Sequence, residues 1–209
     1  MKRQVAMLFA VLFLAPAMFA ADNWGLGLKL GAGESDPKTL KEVYDDADLA
    51  QSKSLDENEG LFGVEVLYEK DLGDANKLGF KLGYVGYGEN ELEMRNGAAY
   101  LKATEETYEM PLSVYYKRDN GLKNWSWFAG VGLSYIRTKM DLDGNIAEGN
   151  WSKGKVFPHL LAGAEYRFTE VFALGVEAKY NFSAKLKKDG DVLSDHSGFS
   201  GALTGRFYF

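Results

Sequence analysis

The stretch Gly198-Phe-Ser-Gly-Ala-Leu-Thr-Gly-Arg-Phe-Tyr-Phe209 decides how the rest of the chain is read. Its odd positions carry Phe199, Leu203, Phe207 and Phe209 with glycine between them, and its even positions include Ser200, Thr204, Arg206 and Tyr208. One apolar and one polar face repeating every two residues is the pattern of a β-strand. Most soluble domains end in a polar, frayed tail. An aromatic strand running to the last residue is expected to close a sheet.

The same alternation recurs upstream in seven segments and makes eight in all, about 24–33, 61–70, 77–88, 106–118, 124–139, 154–168, 171–185 and 198–209. The links between them alternate in length. Residues 34–60, 89–105, 140–153 and 186–197 are long and polar, whereas 71–76, 119–123 and 169–170 are short. Asp71-Leu-Gly-Asp74 and Asn120-Gly121 carry turn chemistry in two of the short links. In an up-and-down meander this places every long link at one end, as in barrels with short periplasmic turns and longer extracellular loops. The expected fold is all-β, an eight-stranded antiparallel transmembrane barrel.

Aromatic spacing separates a membrane barrel from a soluble one. On the apolar parity Trp125 and Tyr135, Phe172 and Phe182, and Phe199 and Phe209 each stand ten residues apart. Ten residues at ~3.3 Å along a strand tilted by ~40° rise about 25 Å, the height of a lipid-facing band between aromatic girdles. Trp125, Tyr135, Phe172, Phe182 and Phe199 are therefore the expected lipid-interface aromatics. The opposite parity carries Lys29, Glu65, Lys81, Glu109, Glu165, Arg167, Glu177, Lys179 and Arg206, near balance in charge, as a lumen network of paired ions requires. Gly63, Gly79, Gly83, Gly130, Gly132, Gly163 and Gly175 leave room for such long side chains in a narrow barrel. Eight strands enclose only enough space for side chains, so an open pore is not the default expectation.

At the other end, Lys2 and Arg3 precede an apolar run from Val5 to Ala15 and then Pro16-Ala-Met-Phe-Ala-Ala21. This reads as a secretory signal peptide over residues 1–20, cleaved after Ala20 or alternatively after Ala17, with the barrel domain spanning 21–209. The run is too short for a spanning helix, which needs about 20 apolar residues. Its removal leaves 22 basic and 30 acidic residues, a net charge of −8. That balance, without a basic cluster, opposes nucleic-acid binding. With no cysteine, the chain uses neither disulfides nor thiolate metal sites.

With these features the chain resembles the small eight-stranded outer-membrane barrels grouped around OmpX, OmpW and the membrane domain of OmpA. The likeness is carried by Tyr108-Glu-Met-Pro-Leu-Ser-Val-Tyr-Tyr-Lys117, Trp127-Phe-Ala-Gly-Val-Gly-Leu-Ser-Tyr135, Leu161-Ala-Gly-Ala-Glu-Tyr-Arg-Phe168 and Arg206-Phe-Tyr-Phe209, and it spans the whole mature chain. It implies placement in the outer membrane of a Gram-negative-type bacterium, contact with outer-membrane lipids and lipopolysaccharide, and a monomeric state. It also implies that the closing strand, with Leu203, Phe207 and Phe209, is the signal read by the barrel-insertion machinery, with periplasmic chaperones as further partners. No peptidoglycan-binding domain follows Phe209, so a cell-wall anchoring role is not expected.

Motifs for catalysis or cofactors fail on inspection. Gly149-Asn-Trp-Ser-Lys-Gly-Lys155 has phosphate-loop spacing, but Val156 replaces the magnesium-binding hydroxyl and Phe157-Pro158 cannot open a helix. Gly25-Leu-Gly27 and Gly83-Tyr-Val-Gly86 lie within strands. Asp141-Leu-Asp-Gly-Asn145 with Glu148 lacks the glycine and bidentate acid of a calcium loop, and Lys187-Lys-Asp-Gly-Asp191 reads as a solvated loop. His159 is expected to face the lumen as a packed group, and His196 lies beside Asp195 and Ser197, where neighbours rarely form a triad. No cofactor, no metal and no catalytic residue are expected.

The first long link holds Asp36-Pro37 and then an apolar stripe of Leu40, Val43, Tyr44 and Ala47. With Asp36 as N-cap and Pro37 as first helical residue, this predicts a short extracellular helix whose stripe caps the barrel mouth or contacts a partner, the alternative being a mobile acidic loop. The function expected from all of this is a non-enzymatic envelope protein, structural or interacting through its loops. A narrow conduit for small or apolar solutes and a lipid-modifying enzyme are the alternatives.

Overall fold

The computed structural model describes residues 24–209 apart from 35, 48–49, 120–123, 146–147 and 189–190. The expected signal peptide and the Asn120-Gly121 turn lie outside the described residues. In chain order the elements are β1 (Trp24–Gly33), α1 (Lys38–Asp46), β2 (Ser52–Asp56), β3 (Gly60–Gly73), β4 (Asn76–Tyr87), β5 (Asn90–Asn96) and β6 (Ala99–Asp119). They continue with β7 (Trp125–Gly144), β8 (Gly149–Arg167), β9 (Phe172–Asn181), β10 (Lys185–Lys188), β11 (Asp191–Asp195) and β12 (Gly198–Tyr208).

Eight of these strands form a ring, β1-β3-β4-β6-β7-β8-β9-β12, in which every pairing is antiparallel. The last strand closes it against the first, from Gly25 opposite Tyr208 to Gly33 opposite Ser200. Closure leaves no sheet edge within the membrane, where an unpaired backbone group would cost several kcal/mol. Leu203, Phe207 and Phe209 stand on the outside of this seam, 66%, 47% and 47% exposed.

The strands differ from expectation mainly at the extracellular end. β6, β7 and β8 run well past the predicted limits, and residues assigned to long loops form β2, β5, β10 and β11. The cause is a reversal of polarity along unbroken strands. Low on β6, Met110, Leu112 and Val114 face outward while Glu109 and Ser113 are buried. Higher up the inner face turns apolar, with Leu101 and Ala103 buried and Lys102 and Thr104 outward. Above the bilayer the outside is wet and the inside is a small core. β9 stops at Asn181, and Ser183 turns the chain with φ of 49° before β10. On the periplasmic side β3 continues to Gly73, so the turn falls at Asp74-Ala75 instead of Asp71–Asp74, and Asn76 Nδ2 donates to Gly73 O at 3.1 Å.

The predicted helix is present and roofs the barrel. Leu40 of α1 is buried with Leu92, Ala103 and Met140, and Tyr44 packs on the same cluster, while Val43 stays 37% exposed. Asp36 does not cap the helix. Pro37 occupies that position without a side-chain cap, and the Asp36 carboxylate pairs with Lys38 and with Lys41 at 3.1 Å. The backbone of Asp36 instead bridges to Asp195, and Thr39 Oγ1 donates to Leu193 O at 3.2 Å, tying α1 to the β10–β11 hairpin. That hairpin brings Ala184 and Leu186 onto Ile136 and Phe157.

Candidate functional site: the charged interior and its roof

The inward side chains form stacked layers. Nearest the periplasm, Lys117 pairs with Glu165 and with Glu69 at 2.9 Å, Tyr115 donates to Glu69 at 2.9 Å, and Tyr208 donates to Glu165 at 2.9 Å. Arg206 spans three acids at the next level: Nε to Glu65 at 2.8 Å, Nη1 to Glu165 at 2.9 Å and Nη2 to Glu177 at 3.0 Å. Lys29 reaches Glu177 at 2.5 Å and Glu65 at 2.9 Å, and Lys81 reaches Glu177 at 2.5 Å. Above them Lys179 pairs with Glu109, which also accepts from Tyr87 at 2.7 Å.

Five bases, Lys29, Lys81, Lys117, Lys179 and Arg206, thus face five acids, Glu65, Glu69, Glu109, Glu165 and Glu177, all of them buried. The plug is neutral and highly paired, which is the condition for keeping ions in a water-poor interior. Two glycines make room for it. A Cβ on Gly79 would lie 2.1 Å from the Tyr115 ring, and one on Gly163 would lie 2.4 Å from the Phe128 ring. The Arg206 guanidinium in turn stands 4.8 Å from the centre of the Phe128 ring. A small cavity of about 20 Å³, lined by Lys29, Lys81, Lys179 and Ser113 together with apolar side chains such as Leu61 and Val85, has room for about one water molecule.

Of the nine charges grouped by parity, eight lie in this plug. Arg167 ends β8 at the periplasmic rim, half-buried, with its guanidinium 4.6 Å from the Tyr208 ring centre. The parity reading omits Glu69 and Lys117, although they share the parity of Glu65 and of Glu109. Extending those two faces by four and eight residues finds them. Tyr87, Tyr115 and Tyr208 sit on the polar parity for the same reason, since each hydroxyl meets a carboxylate.

The histidines are both internal. His159 lies between Ser134, 2.7 Å from Nδ1, and Ser113, 2.9 Å from Nε2. His196 sits in the roof between β11 and β12. Its Nε2 lies 2.8 Å from Ser194 Oγ and 3.2 Å from Thr138 Oγ1, and it does not engage Ser197. Burial pushes the His196 imidazole down to about 4, against the upward pull of Glu109 and Asp195, so it is neutral at pH 7. Partial burial opposes ionisation of Asp36, but its hydrogen bonds from Lys38 and Lys41 outweigh that and hold it below the ordinary aspartate value. Among the described residues no cluster of three His, Asp or Glu side chains could hold a metal ion.

The outer wall carries two aromatic zones. Trp125, Tyr166, Phe168, Phe172 and Phe207 form a chain of ring contacts at the periplasmic end, with Trp125 46% exposed and Phe172 half-buried among its neighbours. Tyr180, Phe182 and Phe199 form the other, their ring centres 4.8 Å apart in each contact. Tyr135 is exposed on the same face ten residues above Trp125, and Phe209 is exposed ten residues below Phe199.

A closed ring of eight strands, apolar outside and ionic within, defines the class of outer-membrane β-barrels. The sequence profile of the outer membrane protein beta-barrel domain matches residues 5–207, and the chain belongs to that family. Among solved structures it is similar to Neisserial surface protein A, at 16% identity and a TM-score of 0.51, covering 89% of this chain and 97% of that one. The N-terminal barrel of Pseudomonas aeruginosa OprF gives 15% identity and a TM-score of 0.50 over 90% of this chain and 98% of that one. A major outer membrane protein of Thermus thermophilus gives 12% and 0.53 over 89% and 99%. At such identities the likeness concerns the fold. No functionally curated protein matches the sequence.

Proposed function

We propose that this protein is a monomeric, non-enzymatic outer-membrane barrel that works through its extracellular sheet. The observation that carries the reading is the free edge of that sheet. Above the ring, β2-β5-β6-β7-β8 continue as a five-stranded sheet. β2 borders it on one side. On the other, β8 pairs with β9 only from His159 downward, so among the described residues Gly149–Val156, paired with β7 on one side, has no strand paired on its other side. Edge strands offer unpaired N–H and C=O groups to an extended segment of a partner. The apolar cluster around Leu40 and Leu92 stiffens the sheet that presents them.

The neutral plug and the roof speak against a conduit, because paired side chains of Lys29, Lys81, Lys179 and their acids occupy the lumen. Neither histidine stands beside a solvent-facing nucleophile, which supports the non-enzymatic reading. Leu203, Phe207 and Phe209, all outward on the seam strand, suit an insertion signal bound from the lipid side by the assembly machinery.

Two readouts on one preparation test this. In planar bilayers the folded protein is expected to give no unitary current steps. Steps that recur and change in Glu65→Ala would reassign it as a conduit. Cells displaying the protein are expected to adhere to surfaces or to one another more than cells displaying a variant with 52–56 and 90–96 replaced by a Gly-Ser linker. Equal adhesion would remove the interaction role and leave a structural one.

A further inference from the structure

Just above the extracellular aromatic zone, the outer wall carries two bases that, among the described residues, no acid neutralises. On β7 the outward residues Tyr135, Arg137 and Lys139 follow one another, each step about 6–7 Å along the strand. The Arg137 guanidinium donates to the Tyr108 hydroxyl at 3.2 Å and to Ser152 Oγ at 2.9 Å, both neutral oxygens. Among the described residues no carboxylate lies within 4.0 Å of Arg137 or Lys139. Farther from the membrane the pattern differs. Lys102 is held by Glu91 at 2.6 Å and Glu93 at 3.7 Å, and Arg95 lies over the Tyr100 ring.

The surroundings leave the two bases accessible. Lys139 is exposed and Arg137 partly so, and the Tyr135 ring leans over Gly154, opposite Arg137, in the place a side chain would take. Tyr84 stacks on Tyr108 at 5.8 Å, holding that phenol in the wall. Glu106 is the cross-strand partner of Lys139 but makes no ion pair with it, so the patch keeps a net positive charge.

We propose that Arg137 and Lys139, with the Tyr108 and Ser152 hydroxyls, bind a phosphoryl group of an outer-leaflet lipid. The planar fork of arginine matches the oxygens of a phosphate, and hydroxyls complete its shell. Height selects the source. The bases sit on the lipid-facing wall one step above Tyr135, where headgroup phosphates lie. The site would hold the barrel against particular lipids. It rests on the membrane placement of the fold and not on the partner-binding role of the sheet edge.

Native mass spectrometry of the folded full chain, with bisphosphorylated lipid A and with the same lipid stripped of phosphate, tests the assignment. Wild type is expected to retain the phosphorylated lipid, and R137Q/K139Q to bind it about thirtyfold more weakly. R137K, which keeps the charge without the fork, is expected to fall between them, and E106Q to bind more tightly than wild type. A heat-modifiability gel establishes that each variant is folded. Equal retention of the two lipids by wild type, or unchanged binding in the double variant, would overturn the site. Arg137-dependent displacement of the lipid by millimolar inorganic phosphate would overturn its assignment to lipid in favour of a free anion.

Discussion

Arg206→Ala is expected to lower the unfolding free energy by about 3–5 kcal/mol, measured by urea titration of the barrel in lipid vesicles. The guanidinium is 2% exposed and is shared by Glu65, Glu165 and Glu177. Its removal leaves four bases against five acids in the plug. The uncompensated charge is buried, and the neighbouring ammonium groups are already committed: Lys29 and Lys81 to Glu65 and Glu177, Lys117 to Glu69 and Glu165. Much of the loss is the cost of a stranded buried carboxylate, so the companion change Glu165→Gln in the same chain should restore part of it. Arg206→Lys keeps the charge but cannot span three acids, and should fall between alanine and wild type. A loss below about 1 kcal/mol for alanine would mean that the layer is hydrated, as exposed pairs contribute no more than that.

Val131→Arg is expected to lower stability by about 2–4 kcal/mol in the same assay, as for a base placed at the lipid midplane of a barrel. Val131 is 58% exposed and lies between Trp125 and Tyr135 on the outward face of β7. In water such a site would accept arginine with a change of about 0.5 kcal/mol or less. Thr104→Arg supplies the contrast. It also faces outward, on β6, but above the membrane between Lys102 and Glu106, and should change stability by about 0.5 kcal/mol or less. Equal costs at the two positions would mean that both outer surfaces meet the same solvent.

The membrane-spanning part of this fold was legible because bilayer and lumen impose opposite chemistry on the two parities. Phe199, Leu203 and Phe207 against Thr204 and Arg206 is a pattern that survives without any knowledge of contacts. The extracellular part was not legible by the same rule, because the rule reverses there. Leu101 and Ala103 continue the parity of Glu105 and Glu109, so a reader looking for apolar residues outside sees a loop where β6 continues. The β10–β11 hairpin was hidden because Leu186 stands between two lysines and gains meaning only over Ile136 and Phe157, far away in sequence.

The interior was half legible. Parity located Lys29, Glu65, Lys81, Glu109, Glu165, Glu177, Lys179 and Arg206 together, but partner choice depends on strand stagger around the ring. No local pattern pairs Lys29 with Glu177, 148 residues away, or Lys117 with Glu165. Arg167 shares their parity, yet lies one strand end too low to meet a carboxylate. His196 is a residue whose immediate neighbours, Asp195 and Ser197, mislead. Its partners are Thr138 and Ser194, and it is buried because the hairpin and α1 close over the mouth.

The central claim is that apolar side chains face acyl chains while ionised ones are enclosed, and tryptophan fluorescence quenching by lipids brominated in their acyl chains tests it most directly. In single-tryptophan variants the account predicts strong quenching of Trp127, 40% exposed on the wall, and little quenching of Trp151, packed against the extracellular cluster with Leu40. Unquenched Trp127, or the two residues quenched alike, would contradict it.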